Sequence, residues 1–254
     1  MPQAAHLAPP IKAEKPAPDA RVPALDESMR SFLRMVSHEL RTPLNSILGF
    51  SEIIASELCG PVGAPQYKEY AGIIRASGQR LLNLVNQILE IVRLEANAAD
   101  LDLRPEALDH AVDDALDGLH EDIEAHRTRI TVAGRGALPV VTADARGLRT
   151  VLTNLIHNAV IFSPDGAEVR IEAAADGRFV DIAVVDQGEG IAPAEAARLI
   201  RPFEQGENAL VRRTEGAGLG LPIVDLLCQA MGGSLRLDEA PGGGLKAVAR
   251  LPLG

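Results

Sequence analysis

Short strings along the chain hold residue types whose spacing suits group transfer. In SHELRTPLNSILGF (37–50), His38 and Thr42 stand four apart, on one face of a helix. A neutral imidazole is a competent nucleophile near neutral pH and can carry a phosphoryl group as a phosphoramidate. Glu39 is placed to accept a hydrogen bond from the ring and orient it, and Thr42, one turn on, can hold a water for the reverse hydrolysis. Pro43 removes a backbone donor and should kink the helix just past His38. A lone histidine at this spacing is equally a surface residue of an amphipathic helix, and His6, His110, His120 and His126 are read that way.

In NLIHNAVIFSPDG (154–166), Asn154 and Asn158 are again four apart. Two carboxamide oxygens on one helix face suit Mg²⁺, which keeps waters and substrate phosphates as its other ligands; two polar residues on a solvent face would give the same pattern. In VVDQGEGI (184–191), Asp186 ends a strand, and Gly188 and Gly190 allow a sharp turn. A carboxylate placed there can accept a hydrogen bond from the exocyclic amine of adenine. Gly216, Gly218 and Gly220 lead into a helix beginning near Leu221, where backbone N–H groups can bind phosphate. No strand directly precedes these glycines and no acidic residue follows at the dinucleotide-fold distance, which excludes that reading. The polar stretch from Gln205 to Glu215 lacks periodicity and reads as a lid, and Arg212 and Arg213 in it can reach phosphates on closure.

The elements that must carry these residues divide into three parts. Residues 1–27, rich in Ala and Pro, read as a linker. Residues 28–97 show helical periodicity interrupted by CGPVGAP (59–65), which makes a helical hairpin. Phe32, Val36, Leu40, Leu44 and Leu48 open one arm; Tyr70, Ile73, Leu81, Leu84 and Ile88 mark the other. So much apolar surface is buried if two hairpins pair into a four-helix bundle, and a homodimer is expected. Residues 98–254 mix strands with helices: a short strand and a helix over 101–108 with Pro105 near the helix start, strands at Arg129–Val132, Pro139–Thr142, Glu168–Ala174 and Phe179–Asp186, and helices at 145–162, Pro193–Leu199 and Pro222–Met231. Asp144 is the expected N-cap of the helix that holds the asparagines. Ser234–Asp238 and Leu245–Leu251 close the chain as a hairpin around PGGG (241–244). The fold class is multidomain, α followed by α+β: a mixed sheet with helices on one face.

These strings, in this order, resemble the sensor histidine kinases of the HisKA type with a GHKL ATP-binding domain. The wording SHELRTPLN with GLGLPIV resembles the alphaproteobacterial cell-cycle members. The resemblance implies ATP and Mg²⁺ as cofactors, His38 as phosphoacceptor, and Asn154 and Asn158 as contacts to Mg²⁺ and phosphates. It implies Asp186, Gly188 and Gly190 as the base-side box. Phe203 is implied as an aromatic of the lid, and Gly216, Gly218, Gly220 and Leu221 as the phosphate-side box. GGGL (242–245) resembles the last glycine box. The implied partners are a second copy of the chain and the receiver domain of a response regulator, whose aspartate takes the phosphoryl group; phosphatase activity through Thr42 is also implied. Two positions depart from the family. Ile161 stands where a Lys or Arg is usual, and Leu245 where Thr or Ser is common, so a phosphate-side cation and a phosphate-side hydroxyl are missing. These departures motivate the alternative of a kinase-weak or phosphatase-biased scaffold.

The totals agree with this class. Hydrophobic residues make up 46% of 254 and aromatics 3%, with no Trp, so the core must be built from Leu, Ile, Val and Ala. A formal charge of −10 argues against nucleic acid as partner. Cys59 and Cys228 form neither a metal pattern nor a disulfide framework, which favours a reducing compartment. Apolar runs fall far short of the ~20 residues of a membrane helix. The chain is therefore expected to be cytoplasmic with no membrane segment of its own.

Overall fold

The computed structural model describes residues 44–58, 60–95, 100–201 and 218–254. His38, Glu39, Thr42, Phe203, Arg212, Arg213 and Gly216 lie outside the described residues, as do Pro43 and Cys59. The first arm of the hairpin is helical over 44–55 (α1), and Pro65–Glu95 forms the second (α2). Glu57 closes α1 in the left-handed region at φ 55° and accepts a hydrogen bond from Val62 N at 3.3 Å, which ties the turn to the helix it ends. Arg75 of α2 pairs with Glu52 of α1 at 3.0 Å. Gly78 lets the helices approach: a Cβ there would lie 3.2 Å from Leu48 Cδ2.

The second unit contains β1 (Arg104–Ala107), α3 (Leu108–Gly118), α4 (His120–Ala125), β2 (Arg129–Val132) and β3 (Val140–Ala143). It continues with α5 (Ala145–Phe162), β4 (Glu168–Asp176), β5 (Phe179–Val185), α6 (Pro193–Leu199), α7 (Gly220–Ala230), β6 (Ser234–Glu239) and β7 (Leu245–Pro252). A five-stranded sheet runs in the order β2-β4-β5-β7-β6, with β2 parallel to β4 and the other pairs antiparallel. Along β5, alternation sends Val180, Ile182 and Val184 to the covered face, where they meet the buried side of α5. Leu148, Leu152, Leu155 and Ile156 of α5 are all at most 2% exposed, and each such burial contributes roughly 1.5–3 kcal/mol. Arg250 holds Asp176 and Asp181 and lies 4.9 Å above the Phe179 ring on the other side of the sheet.

Two expectations change. β1 and β3 form a separate two-stranded antiparallel sheet, and Pro105 sits inside β1, opposite Thr142, rather than at a helix start. Proline is found in sheets chiefly at edges, and β1, with β3 as its one partner, is an edge strand. The helical stretch that follows starts at Leu108 and is broken at Leu119 into α3 and α4. The hairpin also reaches into the second unit: Ile91 and Leu94, 6% and 4% exposed, join its core as α2 packs against α7.

Candidate active site

α5 carries much of the site because of how it starts and which way it faces. The Asp144 side chain accepts from Gly147 N at 2.8 Å, satisfying one of the unpaired donors of the first turn. With the apolar face turned to the sheet, Asn154 and Asn158 project from the half-buried side. Asn154 Nδ2 donates to Thr150 O at 2.8 Å. That bond turns Oδ1 outward, toward Gly220: a Cβ on Gly220 would lie 3.0 Å from Asn154 Oδ1 and 3.8 Å from Asn158 Nδ2. The start of α7, with its outward-pointing N–H groups, therefore abuts the two carboxamides. His157 points away from them, with Nε2 3.9 Å from Asp122 Oδ2 of α4.

Asp186 follows β5 and is 5% exposed. Its backbone N–H donates to Leu245 O at 2.9 Å, while its Oδ1 accepts from Gly188 N and Leu245 N, both at 2.9 Å. Both bonds fall on Oδ1 and neither on Oδ2. Burial pushes the carboxyl above its ordinary range, and the bonds from Leu245 and Gly188 hold back part of that rise. The glycines here are sterically required. A Cβ on Gly188 would meet Phe162 O at 2.6 Å, and one on Gly244, at φ 92°, would meet Asp186 O at 2.2 Å.

The structure thus brings Asn154, Asn158 and Gly220 together at one place and sets Asp186, Gly188 and Gly244 at the C-terminal end of α5. Gly190, at φ 69°, backs onto Gly244: a Cβ there would lie 2.9 Å from Gly244 O. Gly218, at φ 68°, and the half-buried Leu221 flank Gly220. Leu245 lies against Asp186: its N–H holds Asp186 Oδ1, which puts the departure at this position beside that carboxylate. Gly244 itself was read in the sequence only as part of a terminal glycine box; the run of three glycines before a strand was its signal, but the chain separation from Asp186 hid the contact. Ile161, half-buried, supplies no charge three residues beyond Asn158. Among the described residues no group of three or more His, Cys, Asp or Glu could hold a metal ion. A metal here would rely on carboxamide oxygens and on the ligand it accompanies, and the outward Asn154 Oδ1 fits that role.

The parallel–antiparallel sheet backed by α5, the carboxylate-and-glycine turn, and a helical hairpin in front define a two-domain class. Residues 28–97 match the His Kinase A (phospho-acceptor) domain, and residues 143–254 match the histidine kinase-, DNA gyrase B-, and HSP90-like ATPase. The chain belongs to the histidine kinases. It is 36% identical, over 99% of its length, to the non-motile and phage-resistance protein of Caulobacter vibrioides, of which it covers 30%. It is 37% identical, over 91% of its length, to the histidine protein kinase DivJ of the same organism, of which it covers 38%. Its structure is similar to that of full-length ShkA crystallised with AMPPNP, with a TM-score of 0.74 and 34% identity, covering 88% of this chain and 46% of that one. The chain therefore spans less than half the length of each of these proteins. Among the described residues no helix is long and apolar enough to cross a membrane.

Proposed function

We propose that the chain is an ATP-dependent protein histidine kinase that phosphorylates His38 and hands the phosphoryl group to an aspartate of a response-regulator receiver domain. The observation that carries this reading is the joint placement of the Asn154–Asn158–Gly220 cluster and the Asp186 turn along one helix. The nine steps from Asn154 to Ser163 span roughly 13 Å at 1.5 Å per residue, so one rigid element holds a phosphate-side and a base-side group at a fixed separation. Asp186 Oδ2 accepts the adenine amine. Backbone N–H groups at the start of α7 face the phosphates. Asn154 and Asn158 hold Mg²⁺, which supplies charge neutralisation on the phosphates when bound. Phe203, Arg212 and Arg213, outside the described residues, are assigned to nucleotide binding.

Transfer needs positioning more than covalent assistance. An imidazole nitrogen of His38, oriented by Glu39, forms a bond to the γ-phosphorus; the bond to the bridging oxygen breaks and ADP leaves. Thr42 positions water for hydrolysis when the chain acts as phosphatase on its regulator. Two copies pair through their hairpins, so that exposed Phe50, Tyr70, Ile73 and Leu81, 50–68% exposed in the single chain, become a shared core. A location in the cytoplasm, with ATP at hand, goes with this chemistry.

A second reading is favoured by Ile161: a regulator-binding scaffold with weak kinase activity, lacking one charge-assisted contact worth about 1.5–3 kcal/mol. Incubation with γ-labelled ATP and Mg²⁺ separates the two. The kinase reading requires label on the wild type and none on Asp186→Asn. An unlabelled wild type with a labelled Ile161→Lys variant establishes the scaffold.

A further inference from the structure

We propose that Ser163 is a positioning residue for base recognition: its hydroxyl, at the end of α5, sets the turn that aims the Asp186 carboxylate. This rests on the nucleotide reading above. Ser163 follows the last residue of α5 with extended backbone, φ −84° and ψ 154°, and is 6% exposed. Its Oγ accepts from Gln187 N at 3.3 Å. Gln187 is the residue directly after Asp186, and its side chain makes a second tie, Oε1 accepting from Glu168 N at 2.9 Å.

With these bonds, each backbone donor of the turn has a partner. Asp186 N goes to Leu245 O, Gln187 N to Ser163 Oγ, and Gly188 N to Asp186 Oδ1. The first and last hold Asp186 against β7 and against its own turn. The Ser163 bond connects the turn to the end of the helix that carries Asn154 and Asn158. Gly188 adds the steric half of the same junction, pressed so near Phe162 O that no Cβ fits. A methyl at 163 leaves Gln187 N without its acceptor at a half-buried junction, and the turn then relaxes toward water. Oδ2 of Asp186 shifts with it, because the carboxylate is fixed to the turn through Gly188 N. Phosphate contacts at Asn154, in the middle of α5, do not depend on this bond.

Base recognition can be read apart from general loss of structure by comparing ATP with ITP, which carries an oxygen where adenine has its amine. Binding of both to the full chain with Mg²⁺ is measured by calorimetry for wild type, Ser163→Ala, Ser163→Thr and Ser163→Cys, with a thermal melt of each. The wild type is expected to prefer ATP. Ser163→Ala should reduce ATP affinity about threefold to tenfold, the effect of one lost hydrogen bond, while ITP changes little, so the preference narrows. Ser163→Thr, which keeps the hydroxyl, should restore the preference. If Ser163→Ala does not fold, Ser163→Cys, a weak acceptor of similar shape, carries the comparison and should narrow the preference. Equal loss of both nucleotides, an unchanged ATP preference, or failure of Thr to restore it overturns the role of Ser163 while leaving the nucleotide site intact. A wild type that binds neither nucleotide overturns the nucleotide reading itself, and the role of Ser163 with it.

Discussion

Asp186 is the buried side chain on which the stability of the turn and the proposed recognition of the base meet. Its carboxyl titrates above the ordinary value of 3.8 because burial penalises the charge. A carboxyl raised on folding contributes stability in acid, and that contribution is lost as pH rises through the raised value. At neutral pH the ionised group is therefore a cost to the empty fold, and a ligand donor on Oδ2 offsets it. Nucleotide affinity should fall on acidification at a pH above 3.8, since protonation replaces an acceptor by a donor. Asp186→Asn should lose at least about tenfold in ATP affinity and abolish that acid limb, with a melting temperature at pH 7 no lower than wild type. Calorimetry across pH 4–8 and a melt of each protein check both halves. Ile161→Lys tests the other departure: a cation three residues past Asn158 should raise ATP affinity or labelling by about tenfold, the effect of one charge-assisted contact, and an unchanged rate would show that the isoleucine costs nothing.

α5 is the element on which the site is built, and it was the most legible in the sequence. Asp144 as N-cap and the two asparagines four apart each pointed to the same helix. The strands expected at Arg129–Val132 and Phe179–Asp186 form, the second ending one residue earlier at Val185. Contacts between distant segments were not legible. Pro105 suggested a helix start, because the sequence does not show that its strand lies at an edge. Gly244 and Asp186 are 58 positions apart, and only the pairing of β5 with β7 brings them together. That contact makes a specific prediction: Gly244→Ala, strained both by φ 92° and by the approach to Asp186 O, should destabilise the fold by about 1–3 kcal/mol and weaken ATP binding. A denaturant titration and a binding isotherm measure the two effects, and a neutral outcome in both would show that the turn is not held as described.

At the scale of the whole molecule, the hairpin has an unusual amount of large apolar surface for a single chain. Ile73 and Leu81, 56% and 50% exposed, lie on α2, and Phe50, 68% exposed, lies on α1. Ile73→Glu with Leu81→Glu should convert a species of twice 26.9 kDa into one of 26.9 kDa by light scattering, since paired charges cannot be buried in a bundle core without partners. The second unit, whose core takes in Ile91 and Leu94 of α2 with Leu84 packed against it but neither substituted position, should keep its melting transition in that variant.

The central claim is that the nucleotide held along α5 gives its γ-phosphoryl group to His38. Peptide mass mapping of the full chain after incubation with ATP and Mg²⁺, handled at alkaline pH to preserve a phosphoramidate, tests it most directly. The expected result is a single added phosphoryl group on the peptide containing His38, absent from His38→Ala. A phosphoryl group on any other residue, or the same modification in His38→Ala, would contradict it.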